Sequence, residues 1–196
     1  MKPVNRESLP DNLQPYEPSL SRIVREGLAL FLSRFGSLRA GMTIRSERSN
    51  IHDCMVEIAK KYFPNDWLYA RNRFILRLGG HQIKLKKFNP SLETSNYPTQ
   101  LVFDFLMQKV NDLFSSEPNT NLHLGYIPED IDLLKSSVWV TCPNGLMSLE
   151  WKHELKPEAG QAQAPVLPTT VPDGPSTKPS VSPKKLPKTD ESDKTE

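Results

Sequence analysis

The chain has 196 residues, a 37% apolar fraction and a formal net charge of +2, which suffice for one domain of ordinary size and point to no charged partner. Cys54 and Cys142 are lone thiols far apart in sequence, which excludes a disulfide framework. No segment has the length of a membrane span, and the N-terminus has no apolar run, so a cytoplasmic protein is expected.

Pro3, Pro10, Pro15 and Pro18 interrupt residues 1–18, which read as a flexible arm. A first helix is expected from an N-cap at Ser19 to Gly36. Its apolar stripe is Leu20, Ile23, Val24, Leu28, Phe31, Leu32 and Phe35. A second should begin near Ser49 or Asn50 and stop at Pro64, with Ile51, Cys54, Met55, Ile58 and Tyr62 on one face. The stripe places Cys54 in the core as a structural thiol.

Gly79-Gly80 between Arg71–Leu78 and His81–Phe88 signals a tight β-hairpin. That turn sets Leu78 opposite His81, Leu76 opposite Ile83 and Phe74 opposite Leu85. On the other face Arg77 meets Gln82, Ile75 meets Lys84 and Arg73 meets Lys86. The apolar face turns to the core, and Arg73, Arg77, Lys84 and Lys86 project outward together. Between Lys60 and Phe88 there are eight Lys or Arg residues and one acid, Asp66. Such a face suits a polyanion or an acidic partner, and it equally suits plain solvation.

A third helix is expected over roughly 98–114, apolar most of the way round and so buried in the core or covered by a partner. Asn121–Ile127 reads as a strand, with Gly125 a weak point. A second hairpin follows, Val138–Cys142 and Met147–His153, turning at Asn144-Gly145. It sets Val140 opposite Leu149, Val138 opposite Trp151 and Cys142 opposite Met147. From Pro157 onward there is no Phe, Trp or Tyr, and eight of the 18 prolines fall there. Residues 157–196 therefore read as a disordered tail. The fold class is α+β: two N-terminal helices, a basic hairpin, a buried central helix and a C-terminal antiparallel sheet, all within 19–156.

Chemistry is sparse. His52, His81, His123 and His153 show no zinc-ligand spacing, and no phosphate-binding or dinucleotide glycine motif is present, so no metal and no cofactor is expected. His52-Asp53-Cys54 are consecutive on a helix and should not converge. Restriction-type nucleases place an acid-x-Lys triplet on a strand beside a second carboxylate that binds Mg²⁺. Glu150-Trp151-Lys152 matches the triplet and Gln82-Ile83-Lys84 is a degenerate form, but neither strand has an evident partner carboxylate. No catalytic residue is assigned, and a divergent nuclease stands as the alternative.

Several strings in order resemble a known family. They are Ser49-Asn50-Ile51-His52-Asp53-Cys54-Met55, Lys84-Leu85-Lys86-Lys87-Phe88 and Asn96-Tyr97-Pro98-Thr99-Gln100. Asn121-Leu122-His123-Leu124-Gly125-Tyr126, Val140-Thr141-Cys142-Pro143-Asn144-Gly145 and Glu150-Trp151 follow. Over about residues 45–155 the chain resembles an uncharacterised family of small bacterial and phage-borne proteins. Its members are encoded beside helix-turn-helix proteins fused to a zinc-peptidase-like domain. The resemblance implies a toxin–antitoxin-like or phage-repressor module. The chain would then bind a cognate protein encoded nearby, with nucleic acid as a further contact through Arg73, Arg77, Lys84 and Lys86.

Overall fold

The computed structural model describes residues 4–70, 73–94, 99–108, 120–129, 132–145 and 148–157, all within the compact unit Met1–Ala164. The tail expected over 157–196 lies, Pro157 excepted, outside the described residues.

Seven strands form one mixed sheet: β1 (Val4–Asn5), β2 (Trp67–Ala70), β3 (Arg73–Leu78), β4 (His81–Lys87), β5 (Thr120–Ile127), β6 (Ser137–Pro143) and β7 (Leu149–Leu155), in the order β1-β7-β6-β5-β4-β3-β2. The basic hairpin and the C-terminal strands thus belong to a single sheet, joined by parallel pairing of β4 with β5 from His81↔Thr120 to Lys87↔Tyr126. A parallel pair needs a crossover, and the segment between the two strands supplies it. At Gly125 the ladder is so close that any Cβ would overlap the Lys86 carbonyl oxygen.

Helices α1 (Glu17–Phe35) and α2 (Ile44–Tyr62) cover one face. Leu20, Ile23, Val24, Leu28 and Phe31 of α1 and Ile51, Cys54, Met55, Ile58 and Ala59 of α2 pack on Phe74, Leu76, Ile83, Leu85, Leu122, Leu124, Val138 and Val140. The expected stripes are therefore the core faces, and Cys54 and Cys142 are buried thiols. α2 starts earlier than the apolar pattern alone implies, because the Thr43 hydroxyl accepts from the Ser46 N–H and caps it. None of the described helices is long and apolar enough to cross a membrane.

The arm expected over 1–18 needs correction, since residues 4–18 are tied to the domain. Val4 and Asn5 pair in parallel with Trp151 and Lys152. Leu9 and Leu13 are buried in the main core, and Asn12 Nδ2 donates to the Gly79 carbonyl at 2.5 Å. His153, itself buried, stands 3.1 Å from the Arg6 carbonyl through Nδ1 and 2.9 Å from Glu17 Oε1 through Nε2. The prolines keep the regular pieces short, Pro18 sitting in the first turn of α1 where its missing N–H costs nothing, and they do not prevent packing through the leucines set between them.

The first hairpin keeps its expected register but is shorter, and the second hairpin's register needs correction. At Gly79 and Gly80, whose φ angles are +57° and +76°, the turn forms as expected. Leu78↔His81, Arg77↔Gln82 and Leu76↔Ile83 pair. Beyond Ile83 the ladder stops, and Arg73 to Ile75 pair instead on the other edge with β2. In the second hairpin Cys142 faces Trp151, Val140 faces His153 and Val138 faces Leu155. The turn is longer than Asn144-Gly145 suggests: Asn144 N–H donates to the Ser148 carbonyl, and Gly145 N–H is taken by the Leu106 carbonyl. The shift is an even number of residues, so Trp151 and Val140 keep the expected face. Met147 lies outside the described residues.

Of the third helix expected over 98–114, residue 98 and residues 109–114 lie outside the described residues. α3 spans Gln100–Leu106, capped by the Thr99 hydroxyl, and only Val102, Phe105 and Leu106 are buried, while Phe103 and Met107 stand 38% and 49% exposed. It is not a central core helix. It lies across the sheet face opposite α1 and α2, as its contacts with His123 and Asn121 show.

Candidate functional site

Where β3 parts from β4, a cavity of about 470 Å³ opens. Its walls come from both sides of the sheet, because α2 (His52, Asp53, Val56) and α3 (Val102, Phe105, Leu106) both line it. The strands contribute Tyr69, Arg73, Phe74, Lys84, Leu85, Lys86 and His123. Three cations and several apolar groups thus share a concavity of small-ligand size.

Two side-chain networks hold α3 over this opening. At its end Gln108 adopts φ +55°, and its amide donates to the Asn121 and Pro143 carbonyls at 2.9 and 2.7 Å while accepting from the Asn121 N–H at 2.7 Å. Buried Asn121 donates from Nδ2 to the Phe105 carbonyl at 3.0 Å. The strained backbone of Gln108 is held by bonds that few other side chains could make. Asn121→Ala should cost about 1–3 kcal/mol, read by urea unfolding, because it leaves the Phe105 carbonyl without this donor. An unchanged midpoint would show that α3 is held by its apolar contacts alone.

Phe105 also organises the cations. Its ring stacks on His123 at 5.2 Å and 17°, and Lys84 Nζ lies 3.4 Å from its centroid. Lys84 and His123 are direct partners across β4 and β5. Burial, with the Lys86 and Arg73 charges added, lowers Lys84 to about 7, and burial with Arg73 lowers Lys86 to about 8. His123 is held well below the usual imidazole range, first by burial and then by Lys86 and Lys84. The Phe105 face works the other way on Lys84 and favours its charged form.

These positions revise the outward cation face. Arg73 and Arg77 are exposed, whereas Lys84 and Lys86 are half-buried, and Ile75 on the same face is only 8% exposed. Arg73, Lys84 and Lys86 meet at the cavity, and Arg77 is not among its lining residues. Lys60, expected nearby, lies over the Trp67 and Tyr69 rings at 4.5 and 5.0 Å, on the edge strand. Strand alternation gathers the cations on one side but cannot say what covers that side. The usable signal was the Val102, Phe105, Leu106 stripe, an apolar face with no other sheet surface left to cover.

The other candidates are placed as follows. His52 and Asp53 touch through Nδ1 and Oδ1 at 3.5 Å, while Cys54 turns into the core, where burial pushes its thiol up. Glu150 is exposed, with Cys142 Sγ 3.5 Å from its carboxylate, and Lys152 Nζ lies 5.5 Å from the Trp139 ring centroid. Among the described residues no three His, Cys, Asp or Glu side chains are grouped to hold a metal. Compared with protein-family models, curated proteins and solved structures, the chain matches none.

Proposed function

We propose that the protein is the binding component of a two-protein, toxin–antitoxin-like or phage-repressor module, and that it seats an anionic group of its partner in the cavity. The observation that carries this reading is the meeting of three cations, Arg73, Lys84 and Lys86, in one concavity that holds a single carboxylate, Asp53, among its described lining residues. A half-buried lysine of lowered basicity such as Lys84 is costly to the empty protein. A bound carboxylate or phosphate offsets that cost and restores its charge, so the cavity is built for an anion. The apolar side formed by Val102, Phe105 and Leu106 suits an acidic side chain within a protein surface better than a bare phosphate backbone. Nucleic acid, reached through the same residues with Arg77 added, is the second ligand to test, because phosphate satisfies the same cations.

The test is titration of the adjacent gene product, duplex DNA and RNA at two salt concentrations. Lys84→Met/Lys86→Met should weaken partner binding by about tenfold or more, since it removes two desolvated charges. Arg77→Gln should change it by less than about threefold, as expected for a charge outside the seat. A steep fall of affinity with salt for DNA or RNA would favour the nucleic-acid ligand. An Arg77→Gln loss as large as the double lysine loss would mean an exposed electrostatic face. Equal binding by all variants would remove the cavity from function.

A further inference from the structure

Lys84 is placed as few lysines are. Its amine lies against the Phe105 ring inside the cavity, with Lys86 and Arg73 near enough for their charges to act on it. Val102, Leu106 and Leu85 belong to the apolar part of the lining, and His52, Asp53, Tyr69 and His123 to its polar part. A lysine amine withdrawn from water beside other cations is held partly as the free base, and that is the form with a lone pair to donate. The lowered basicity, to about 7, agrees with this geometry.

We propose that Lys84 is a nucleophilic amine that condenses reversibly with the carbonyl group of a small anionic ligand whose carboxylate or phosphate is held by Arg73 and Lys86. The inference rests on the cavity being an anion seat. The neutral Nζ attacks the carbonyl carbon and the C–O π bond breaks. The oxygen takes up the proton released from nitrogen, giving a carbinolamine. The nitrogen gives up its second proton, which joins the departing hydroxyl as water, as its lone pair forms the C=N bond. Nothing is oxidised or reduced, so no further reactant is needed. Arg73 and Lys86 place the carbonyl by gripping the anionic end.

The experiment exposes the full chain at pH 7 to pyridoxal 5′-phosphate and, separately, to pyruvate. Borohydride traps any imine, and peptide mass mapping locates it. Formaldehyde with cyanoborohydride is the neutral comparison, and inorganic phosphate is the competitor, its own binding followed by thermal shift. The expected result is an adduct at Lys84 formed about tenfold or more faster than on the other lysines. It should be slowed by phosphate and absent in Lys84→Arg, which keeps the charge but forms no such imine. Lys86→Gln should slow labelling by both anionic carbonyls and leave the formaldehyde rate at Lys84 within about threefold. Phosphate binding retained with Lys84 unlabelled would overturn the nucleophile and leave the anion seat standing. Lys84 labelled equally by formaldehyde, with no phosphate effect, would overturn both. Adducts spread evenly over the lysines would overturn the proposal as well.

Discussion

Lys84→Met is expected to make the protein more stable at pH 6, by about 2–3 kcal/mol in urea unfolding. The expectation follows from linkage. Lys84 falls from 10.5 in the open chain to about 7 in the fold, chiefly through burial and then through Lys86 and Arg73. Each pKa unit is worth about 1.4 kcal/mol, and relaxation with water entry reduces the full amount. Between pH 7 and 10.5 the unfolded chain binds more protons at this position than the folded one, so wild-type stability rises with pH there. Below pH 7 both states carry the charge, and the folded state bears the whole penalty. Methionine, one atom shorter, keeps an unbranched apolar stem beside Phe105 without the charge. Its advantage should therefore be full at pH 6, smaller at pH 8.5 and nearly gone at pH 10. An advantage that grows with pH, or none at pH 6, would mean that Lys84 is well solvated. Added phosphate should narrow the gap by stabilising the wild type alone. A residue whose removal strengthens the fold is retained for something other than folding.

The fold was legible where local chemistry decides it. Alternation along Leu76, Leu78, Ile83 and Leu85, with two glycines at positive φ, specifies the first turn and the three pairs beside it. The helix stripes are legible for the same reason, since apolar residues at three- and four-residue steps have one way to hide. What local pattern could not show is where tertiary partners intervene. Beyond Ile83, β3 is engaged by β2 through the Trp67, Tyr69 and Phe74 ring cluster. The Asn144-Gly145 turn is altered by one bond from the Leu106 carbonyl, which belongs to α3. The parallel pairing of β4 with β5 rests on the Gly125 approach to the Lys86 carbonyl, and a lone glycine in a strand does not name its neighbour. Each of these features concerns α3 or the opening below it. The cations were readable as a group, and the cavity that gives them chemistry was not, because it is made by strands parting.

Trp151→Ala should cost about 3–5 kcal/mol, the largest loss expected from a single truncation in this sheet. Trp151 is 4% exposed and sits in the main core with Val138, Val140, Cys142 and Leu155. Its strand neighbours are Cys142 on one side and Val4 on the other, and the Arg6 guanidinium lies over its ring at 5.0 Å. Removing the indole therefore opens the core where the N-terminal segment joins the sheet, so β1 should be lost along with the packing. Fluorine NMR of a label on residue 4, followed through urea unfolding, would show β1 detaching before the global transition in the variant. The register can be tested by the same substitution. In double-mutant cycles Cys142→Ala should couple to Trp151→Ala by about 0.5 kcal/mol or more, since the two face each other directly. Val138→Ala, four pairs along the ladder and opposite Leu155, should be additive with it within about 0.3–0.5 kcal/mol. Coupling to Val138 and additivity with Cys142 would restore the shorter Asn144-Gly145 turn. It would also withdraw the Gly145 to Leu106 bond that draws the end of α3 toward the sheet and so helps to close the cavity over Lys84.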